Sequence, residues 1–289
     1  MSGAAAGALE VVRAGALTTV QDQGRPGFAH LGVPRSGALD RAAAAAANAA
    51  VGNDPAAAVL ETTVTGMAVR AVGPCVVAVT GAPAPVTVDG APAVMGEAVA
   101  VPAAAVVEVG ASEAGVRSYL AVAGGIDVPT VLGSRSTDLL SGLGPPRLRD
   151  RDRVPIGHER RGDVRAVAAG SRPGPAELVL AVRLGPRHDW FTAAALETLV
   201  RTEYRVSPVS NRVALRLTGA PLERAVRDEL PSEGVVLGAV QVPADGQPLI
   251  FLADHPTTGG YPVVGVVDDA DIDRCAQARP GTAVHLRLA

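Results

Sequence analysis

Lysine is absent from this chain of 289 residues, so all 26 Lys and Arg positions are arginines. Several kinds of chemistry depend on a lysine side chain, including the phosphate-binding lysine of a P-loop, a lysine Schiff base and the attachment of biotin. None of these can reside on this chain. If the protein works with ATP or biotin, a different chain must carry part of the machinery.

Cysteine, aromatic residues and clustered charge are also scarce. Neither Cys75 nor Cys275 belongs to a C-x-x-C pair, and the five histidines show no metal-ligand spacing, so no metal site is expected. Aromatic residues make up 2% of the chain, so the core must consist mainly of Ala, Val and Leu. A net charge of -3 argues against nucleic acid as a partner, because phosphate neutralisation needs clustered basic residues.

Signals for secretion and for common nucleotide sites are missing too. The first residues have no basic region followed by a long apolar run, and no stretch is apolar for long enough to span a bilayer. We therefore expect a cytoplasmic protein. The sequence contains no G-x-G-x-x-G, no P-loop motif and no G-x-S-x-G, so it encodes neither a dinucleotide site nor a nucleophile elbow.

The pattern of hydrophobic and turn-forming residues predicts mainly short strands. Residues 9–13 form a first predicted strand, and from Ala56 to Val109 short Val, Ala and Thr runs alternate with Gly and Pro. This punctuation is typical of an antiparallel sandwich or barrel. Asp89-Gly90, within VTVDGAP, predicts a hairpin turn. The fold class is therefore mainly β with a few short helices, in two lobes.

Two segments carry clear helix signals. The first is DRAAAAAANAAVGN, where Ser36 or Asp40 can cap the start and Gly52 can close the end. The second is DWFTAAALETLVRT, with Thr192 as its predicted N-cap. A charged stretch rich in Gly and Pro follows residue 147 and separates the lobes. The predicted domains are an N-terminal β lobe with the Ala-rich helix, a linker and a C-terminal lobe, at residues 1–157, 158–176 and 177–289.

One polar stretch, Thr18 to Asp40, stands out from the Ala/Val-rich remainder. It reads TTVQDQGRPGFAHLGVPRSGALD, and its glycines permit positive φ and close approach of the backbone to a ligand. It is either a loop with an internal Asp–Arg pair or part of a binding site. Asn48, two helical turns after Asp40, either faces the same side as Asp40 or makes a cap or turn contact. Glu61 is interpreted as a solvated strand end.

Further polar loops occur in the second lobe. Thr257–Gly260 can place successive backbone N–H groups in one concavity, which suits an anion, and Tyr261 can donate a hydrogen bond at its edge. Arg25 and Arg212 supply forked donors that match a carboxylate or carboxyphosphate. Asp22 and Asp40 can hold these guanidinium groups or act as a general base. Together the loops indicate half of a binding site for a small anion, on a chain that has no nucleotide-binding element of its own.

The order of these loops resembles the biotin-dependent carboxyltransferase family, also called allophanate hydrolase subunit 2. The resemblance covers residues 9–289 and rests on TTVQDQGRPGFAHLGVPRSGALD, AAANAAVGN, VAGGIDVPTVLGSRST, VSPVSNRVALRLTG, SEGVVLGAVQVPADGQP, TTGGYP and AQARPG. It implies cyclophilin-like β-barrel lobes. We expect the polar motif residues to share one site, with catalytic roles for Asp22, Arg25, Asp40 and Arg212, and substrate-binding roles for Gln21, Ser36, Asn48, Ser210, Asn211, Gln241, Thr258, Gly259, Gly260 and Tyr261.

The resemblance also implies partners and an activity. In the 5-oxoprolinase branch, the expected role is that of the PxpC component in a complex that converts 5-oxoproline to glutamate with ATP, where ATP is bound by the complex and not by this chain alone. The expected partners are a KipI-like protein (PxpB) and a LamB/YcsF-like protein (PxpA). Two alternatives stay open: a KipA-like regulator that binds a KipI-like kinase inhibitor, and the carboxyltransferase half of a urea carboxylase or allophanate hydrolase system, which would require biotin on another chain.

Overall fold

The computed structural model describes residues 7–158, 162 and 173–289, and the regular secondary structure of this part of the chain is mainly β-strand. It divides into two units. The first comprises the described residues up to Arg25, then Asp40–Asp138 and Gly142–Gly174; the second comprises Pro26–Leu39, Leu139–Ser141 and Pro175–Ala289. Most of the predicted linker, 158–176, lies outside the described residues. The domain boundaries proposed from the sequence stay a prediction.

The first unit is a sandwich of two antiparallel sheets. Its strands are β1 Ala8–Arg13, β2 Thr18–Gln21, β3 Val59–Thr63, β4 Met67–Ala71, β5 Cys75–Gly81, β6 Val86–Val88, β7 Ala91–Ala93, β8 Val99–Val101, β9 Val106–Val109, β10 Arg117–Val122 and β11 Arg153–Pro155. One sheet has the order β11-β1-β4-β9-β6-β7 and the other β2-β3-β10-β5-β8. Leu9 and Val69 of the first sheet share a buried cluster with Leu60 and Leu120 of the second. Of the two architectures predicted for this region, sandwich or barrel, the structure shows the antiparallel sandwich.

Two local predictions in this unit are also confirmed. Asp89 and Gly90 join β6 to β7 with φ of 48° and 80°, the pair of positive values that a type I′ hairpin turn requires. The Ala-rich helix α1, Arg41–Ala50, begins after Asp40, whose carboxylate accepts a hydrogen bond from the Ala43 N–H at 2.9 Å. Helix α1 packs on β3, β5 and β10. Its small alanine side chains suit this contact because they let the helix axis approach the sheet.

The second unit contains a closed seven-stranded barrel with the order β12-β19-β16-β17-β14-β13-β20, closed by the parallel pair β12–β20. Its strands are β12 Glu177–Leu184, β13 Tyr204–Val206, β14 Ala214–Thr218, β15 Glu233–Gly234, β16 Ala239–Gln241, β17 Leu249–Phe251, β18 Thr258–Gly259, β19 Val263–Val267 and β20 Ala283–Leu288. Strands β15 and β18 form a separate two-stranded sheet. The predicted barrel fold is confirmed.

Two helices belong to the barrel unit, α2 Ala193–Arg201 and α3 Asp269–Cys275. Thr192 caps α2, as predicted, by accepting a hydrogen bond from the Ala195 N–H at 3.1 Å. Phe191, just before the cap, is buried in the barrel core, and Trp190 packs partly buried against it. Single 3₁₀ turns occur at Ala29–Leu31 and His188–Trp190. Among the helices that the structure describes, none is long and apolar enough to cross a membrane.

Two interpretations from the sequence were wrong at this level. The polar stretch does not begin as a loop, because Thr18–Gln21 is a fully buried strand paired with β3. Its polar side chains fit there because they are hydrogen-bonded; Thr18 Oγ1, for example, donates to the Ala14 carbonyl at 2.6 Å. Glu61 is not a solvated strand end, since it is 1% exposed in the middle of β3.

Candidate functional site

Asp22 is the centre of a hydrogen-bonded loop pair in the first unit. It follows β2, and its Oδ1 accepts from the Gly24 N–H at 2.7 Å and from the hydroxyls of Ser134 and Ser136 at 2.6 Å each. Its Oδ2 accepts from the Arg135 N–H at 2.6 Å. One carboxylate therefore joins the loop 22–25 to the loop 134–136. Asp22 is well placed to hold these loops together, and its role as a general base stays a prediction.

Arg25 lies beside Asp22 in sequence but points to carbonyl groups. Its side chain is 1% exposed; Nε donates to the Val131 carbonyl at 3.3 Å and Nη2 to the Ser136 carbonyl. Gln21, fully buried, donates from Nε2 to Thr19 Oγ1 and to the Thr137 carbonyl, at 3.0 Å each. Both residues therefore hold the 131–137 segment against the loop that follows β2.

Asp40 belongs to a second buried network of the first unit. Its N–H donates to the Tyr119 hydroxyl oxygen at 2.8 Å, and that hydroxyl donates to Glu61 Oε2 at 2.9 Å. Arg117 Nε lies 3.6 Å from the other oxygen of Glu61. Burial raises the pKa of Tyr119 well above its usual value, and the nearby negative charges of Glu61 and Asp40 add to that rise. The network therefore keeps the Tyr119 hydroxyl protonated, as the donor that Glu61 needs.

Asn48 is fully buried on α1 and holds the turn after that helix. Its Nδ2 donates to the Ala57 carbonyl at 2.7 Å, and its Oδ1 accepts from Asn53 Nδ2 at 3.0 Å. Asn53 continues the chain of contacts, because its Nδ2 donates to the Val122 carbonyl and its Oδ1 accepts from the Gly124 N–H. The turn contact, one of the two interpretations of Asn48, is what the geometry shows.

The second unit contains a buried ion pair. Arg212 and Asp254 are 1% and 0% exposed in their side chains; Nε and Nη2 of the arginine donate to the two carboxylate oxygens at 2.9 Å each. Such a bidentate pair is the strongest form of an Arg–carboxylate contact. Asp254 also accepts from Ser36 Oγ at 2.9 Å and from the Leu139 N–H at 3.3 Å.

The Arg212–Asp254 pair fixes the unusual backbone at Ser36-Gly37. Ser36 has φ of 54°, a left-handed value that costs free energy for a residue with a side chain, and Gly37 has φ of 103°. The Ser36 N–H donates to the Ala253 carbonyl, and the Gly37 carbonyl accepts from Arg212 Nη2 at 2.7 Å. The left-handed turn therefore persists because contacts on both of its sides stabilise it.

The residues before Arg212 build a turn between β13 and β14. Ser210 Oγ donates to the Arg216 carbonyl and accepts from the Arg216 N–H, at 3.3 and 3.0 Å. Asn211 Oδ1 accepts from the Val213 N–H at 2.8 Å, which is the arrangement of an Asx-turn, while the residue itself is exposed. The turn thus presents Asn211 to solvent and directs Arg212 inward.

The predicted anion-binding nest at Thr257–Gly260 is not seen. Thr258–Gly259 is the extended strand β18, and neither Gly259 nor Gly260 has the positive φ that a nest uses. Gln241, 5% exposed, donates from Nε2 to the Tyr261 carbonyl at 3.1 Å. The Tyr261 ring is 47% exposed, and the Arg224 guanidinium lies 5.6 Å from its centroid. This loop therefore offers an exposed hydroxyl and a cation beside it, and its substrate-binding role stays a prediction.

Comparison with known proteins identifies the family. The family described as "Carboxyltransferase domain, subdomain A and B" matches residues 31–288. The chain belongs to this carboxyltransferase family. The resemblance found in the loop motifs is thereby confirmed, although the Asp22 and Arg25 motif lies before the matched residues.

Relatives of the carboxyltransferase family cover nearly the whole chain. The C subunit of 5-oxoprolinase from Escherichia coli (strain K12) is 39% identical over 284 residues, which is 96% of this chain and 90% of that protein. The protein of the same name from Haemophilus influenzae is 30% identical and covers 96% of this chain and 89% of its own length. Urea amidolyase of Saccharomyces cerevisiae is 30% identical over 96% of this chain, but the match is 16% of that protein.

Solved structures show the same carboxyltransferase fold. A crystal structure of TTHA0988 has a TM-score of 0.88 at 35% identity over 97% of this chain, which spans 56% of the TTHA0988 chain. The Kluyveromyces lactis urea amidolyase gives a TM-score of 0.87 at 29% identity over 96% of this chain, which spans 18% of that chain. The carboxyltransferase region thus occurs both alone and as part of longer proteins.

Several residues of these hydrogen-bond networks were not predicted from the sequence. Asp254 was not singled out, although a buried arginine needs a partner and the acid lies at the end of the apolar run LIFLAD. Ser134 and Ser136 appeared only within the motif VAGGIDVPTVLGSRST, and Tyr119 and Glu61 were not connected to Asp40. These partners are far apart in sequence, so no local pattern pairs them.

The candidate residues form two sets, those whose polar groups meet protein partners and those that are exposed. Asp22, Arg25, Asp40 and Arg212 direct their polar groups to protein partners, whereas Asn211, Thr258 and Tyr261 are exposed. The residues with protein partners can position loops and polarise the loop backbone. The exposed residues can contact a ligand. No group of three or more His, Cys, Asp and Glu side chains within the described ranges could hold a metal ion.

Proposed function

We propose that this chain is the PxpC component of an ATP-dependent 5-oxoprolinase complex, which opens the ring of 5-oxoproline to give glutamate. The observation that carries this proposal is the 39% identity to the E. coli 5-oxoprolinase protein over 96% of this chain and 90% of that protein. The H. influenzae relative has the same name, and the match covers similar shares of both proteins. A match over both whole lengths supports a shared role better than a match to 16% of a longer enzyme.

The chemistry of this reaction requires activation of a stable amide. A lactam carbonyl is a poor electrophile, and ATP supplies a phosphoryl group that turns the carbonyl oxygen into a better leaving group. This chain has no lysine and no P-loop motif. We therefore assign ATP binding to the partners, the LamB/YcsF-like PxpA and the KipI-like PxpB, and expect this chain to be inactive alone.

Within this proposal, the residues whose polar groups are bound to protein partners act by positioning. Arg212 and Asp254 hold the left-handed turn at Ser36-Gly37, and Asp22 holds the loop 134–136. The exposed Tyr261 hydroxyl and the side chains of Asn211 and Thr258 are the groups proposed to meet the substrate. Preorganised loops of this kind lower the cost of stabilising charge in the transition state, because they do not reorganise during the reaction.

Reconstitution tests the proposal. The chain is purified with and without its cognate PxpA and PxpB, and glutamate release from 5-oxoproline is followed with ATP. We expect turnover only with all three proteins. Full turnover without this chain would reject the proposal, and tight binding to PxpB with no turnover would favour a regulatory role.

A pair of tyrosine variants then locates the substrate contact within the active mixture. Tyr261→Phe should lower kcat/KM with little change in thermal stability, because the Tyr261 ring is exposed. Tyr204→Phe, in the barrel core, is the matched control and should alter stability before it alters activity. An unchanged kcat/KM for Tyr261→Phe would remove its hydroxyl from the substrate-binding groups.

A second candidate is the carboxyltransferase half of a urea carboxylase system. It is favoured by the urea amidolyase relatives, whose fold matches this chain with a TM-score of 0.87. Because this chain lacks lysine, biotin would have to be carried by another protein. The test is transfer of carboxyl from carboxybiotin to urea in the presence of a biotinylated carrier; no transfer, alongside active 5-oxoproline turnover, would exclude this candidate.

A further inference from the structure

Tyr261 is the exposed tyrosine of this chain. The sequence has three tyrosines, and the structure describes all of them. Tyr119 and Tyr204 are fully buried, whereas Tyr261 is 47% exposed. An exposed aromatic side chain keeps its rotamer freedom unless contacts remove it, and removing that freedom costs entropy. The contacts around Tyr261 therefore determine whether its hydroxyl points in one direction or in several.

The backbone of Tyr261 is held by the end of strand β16. Gln241, the last residue of β16, donates from Nε2 to the Tyr261 carbonyl at 3.1 Å, and the N–H of Val242 donates to the Pro262 carbonyl at 3.1 Å. A Cβ at Gly259 would lie 2.7 Å from Gln241 Nε2, so the absence of a side chain there leaves room for the amide. Two consecutive residues thus fix the chain at 261–262.

Arg224 adds a contact to the ring itself. Its guanidinium carbon lies 5.6 Å from the centroid of the Tyr261 ring, within the roughly 6 Å at which a cation is attracted to an aromatic face. The same guanidinium donates from Nη2 to the Val242 carbonyl at 2.6 Å. Val242 is fully buried in the barrel core. The ring of Tyr261 is therefore tied, through one arginine, to the same strand end that holds its backbone.

The backbone of Arg224 is itself anchored. Arg224 forms an isolated antiparallel bridge with Phe191, and the N–H of the next residue, Ala225, donates to the Trp190 carbonyl at 2.9 Å. Phe191 belongs to the buried core cluster of the barrel. An arginine side chain has many rotamers, and because both its backbone and its guanidinium are held, these contacts select one of them.

The hydrogen bonding of Arg224 indicates what sets its position. Nε is buried and has no hydrogen-bond partner within the described residues. A buried N–H without an acceptor is unfavourable, and such groups are rare in folded proteins. The guanidinium therefore does not lie where all of its own donors are satisfied. Its position is the one that reaches the Val242 carbonyl and the Tyr261 ring at the same time.

We propose that Arg224 is a positioning residue, which holds the Tyr261 ring so that the tyrosine hydroxyl meets the substrate in one orientation. This inference rests on the proposed function, in which that hydroxyl contacts 5-oxoproline. Arg224 acts through Tyr261 and needs no contact with the substrate. A contact group that is already ordered loses less conformational entropy when the ligand binds, so the effect should appear mainly in the KM for 5-oxoproline.

Steady-state kinetics of the reconstituted three-protein complex test this role. Arg224→Gln should raise the KM for 5-oxoproline about three- to fivefold, the size expected for loss of a partly exposed cation–π contact, and should leave the KM for ATP unchanged. Arg224→Lys, which keeps a cation for the ring, should recover most of this loss. Arg227→Gln removes an 85% exposed arginine from the same segment and is the matched control, with both KM values unchanged.

A double variant shows whether Arg224 acts through Tyr261. In the Tyr261→Phe background the hydroxyl is gone, so fixing the ring no longer helps the substrate. Arg224→Gln should then change the KM for 5-oxoproline little further. Two changes whose effects multiply would overturn the proposal, since Arg224 would act by a route that does not include the Tyr261 hydroxyl.

NMR of the chain alone, with ring-labelled tyrosine, tests the contact without activity. Three ring signals are expected, and the Tyr261 signal is the one that Tyr261→Phe removes. Arg224→Gln should shift and sharpen the Tyr261 signal and leave those of the buried tyrosines in place; an unchanged Tyr261 signal would overturn the proposal. An unchanged KM for 5-oxoproline in an active complex would also overturn it and leave the proposed function intact. Absence of turnover with the unmodified chain would overturn the proposed function, and the NMR comparison would then decide alone whether Arg224 fixes the ring.

Discussion

Replacing Asp254 by Asn tests how much the buried Arg212–Asp254 pair stabilises the second unit. The substitution keeps the shape of the side chain but removes the negative charge that accepts two hydrogen bonds from the buried Arg212 guanidinium. Removing one partner of a buried ion pair costs about 3–5 kcal/mol, because the remaining charge stays desolvated. At about 2–4 °C per kcal/mol for domains of 150–250 residues, the expected decrease in Tm is on the order of 10 °C.

Trp190 provides the assay, since it is the one tryptophan of the chain and packs on the core of the second unit. Urea denaturation followed by tryptophan fluorescence therefore reports on that unit. The control is Arg227→Gln, which breaks the Arg227–Glu223 pair, 85% and 69% exposed at a separation of 3.9 Å. An exposed pair contributes about 0–1 kcal/mol, so the control should change stability little.

A double variant tests the desolvation cost directly. Arg212→Met combined with Asp254→Leu removes both charges, and replacing a whole buried pair by apolar residues is often neutral or stabilising. We expect the double variant to be more stable than Asp254→Asn alone. The reasoning would be refuted if Asp254→Asn destabilised the unit no more than Arg227→Gln does, because the pair would then not be desolvated as its geometry indicates.

Three further predictions follow from burial and backbone geometry. Burial raises the pKa of the Cys275 thiol to about 12, so Ellman's reagent at pH 8 should label the half-buried Cys75 much faster, and equal rates would contradict this. Burial and adjacent acids raise the pKa of Tyr119 in the folded state. The contribution of Tyr119 to the free energy of unfolding is therefore complete below about pH 10, where the unfolded side chain titrates, and is lost as pH rises through the folded pKa. Absorbance at 295 nm should show this ionisation only together with unfolding, and Tyr119→Phe should remove that step; ionisation of Tyr119 in the folded protein would refute it. In denaturant titration, Gly66→Ala should lower the free energy of unfolding by about 3 kcal/mol, because its Cβ would lie 2.0 Å from the Val109 carbonyl oxygen. Gly27→Ala, with open space around it, should cost only the strain of its positive φ. Equal costs would count against the steric argument.

Local patterns predicted most secondary structure correctly. The Ala-rich helix, its Asp40 cap, the Asp89-Gly90 turn and the Thr192 cap each depend on residues within a few positions of one another. The physical causes are short-range: a side-chain oxygen that reaches an unpaired N–H, or a glycine that adopts positive φ. Such causes can be read from a window of sequence without knowledge of the rest of the fold.

The errors have a common origin in long-range contacts. Thr18–Gln21 was interpreted as the start of a loop because it is polar, yet it is a buried strand. Glu61 was interpreted as solvated, yet a tyrosine hydroxyl 58 positions away hydrogen-bonds it. A polar residue is stable inside a protein once its hydrogen bonds are satisfied, and the partners that satisfy them are distant in sequence.

The candidate site shows the same difference between local motifs, which were predicted, and distant partners, which were not. The motifs around Asp22, Ser36 and Arg212 were noticed because polar, glycine-containing loops are unusual in an Ala/Val-rich chain. Their partners were not: Asp22 is paired with Ser134 and Ser136, and Arg212 with Asp254. The sequence therefore located the loops but not the function of each side chain within them.

The sequence by itself determined the composition-driven properties of this protein: a mainly β fold with an Ala/Val/Leu core, capped short helices, no lysine-dependent chemistry and membership of the carboxyltransferase family. Only the tertiary structure decided which polar residues are buried, which charges pair, and which distant segments Asp22 and Asn48 hold. The physical reason is the range of the interactions. Helix caps and turns form between neighbours, whereas desolvation and ion pairing depend on groups that folding brings together from distant positions, as it does for Arg212 and Asp254, 42 positions apart.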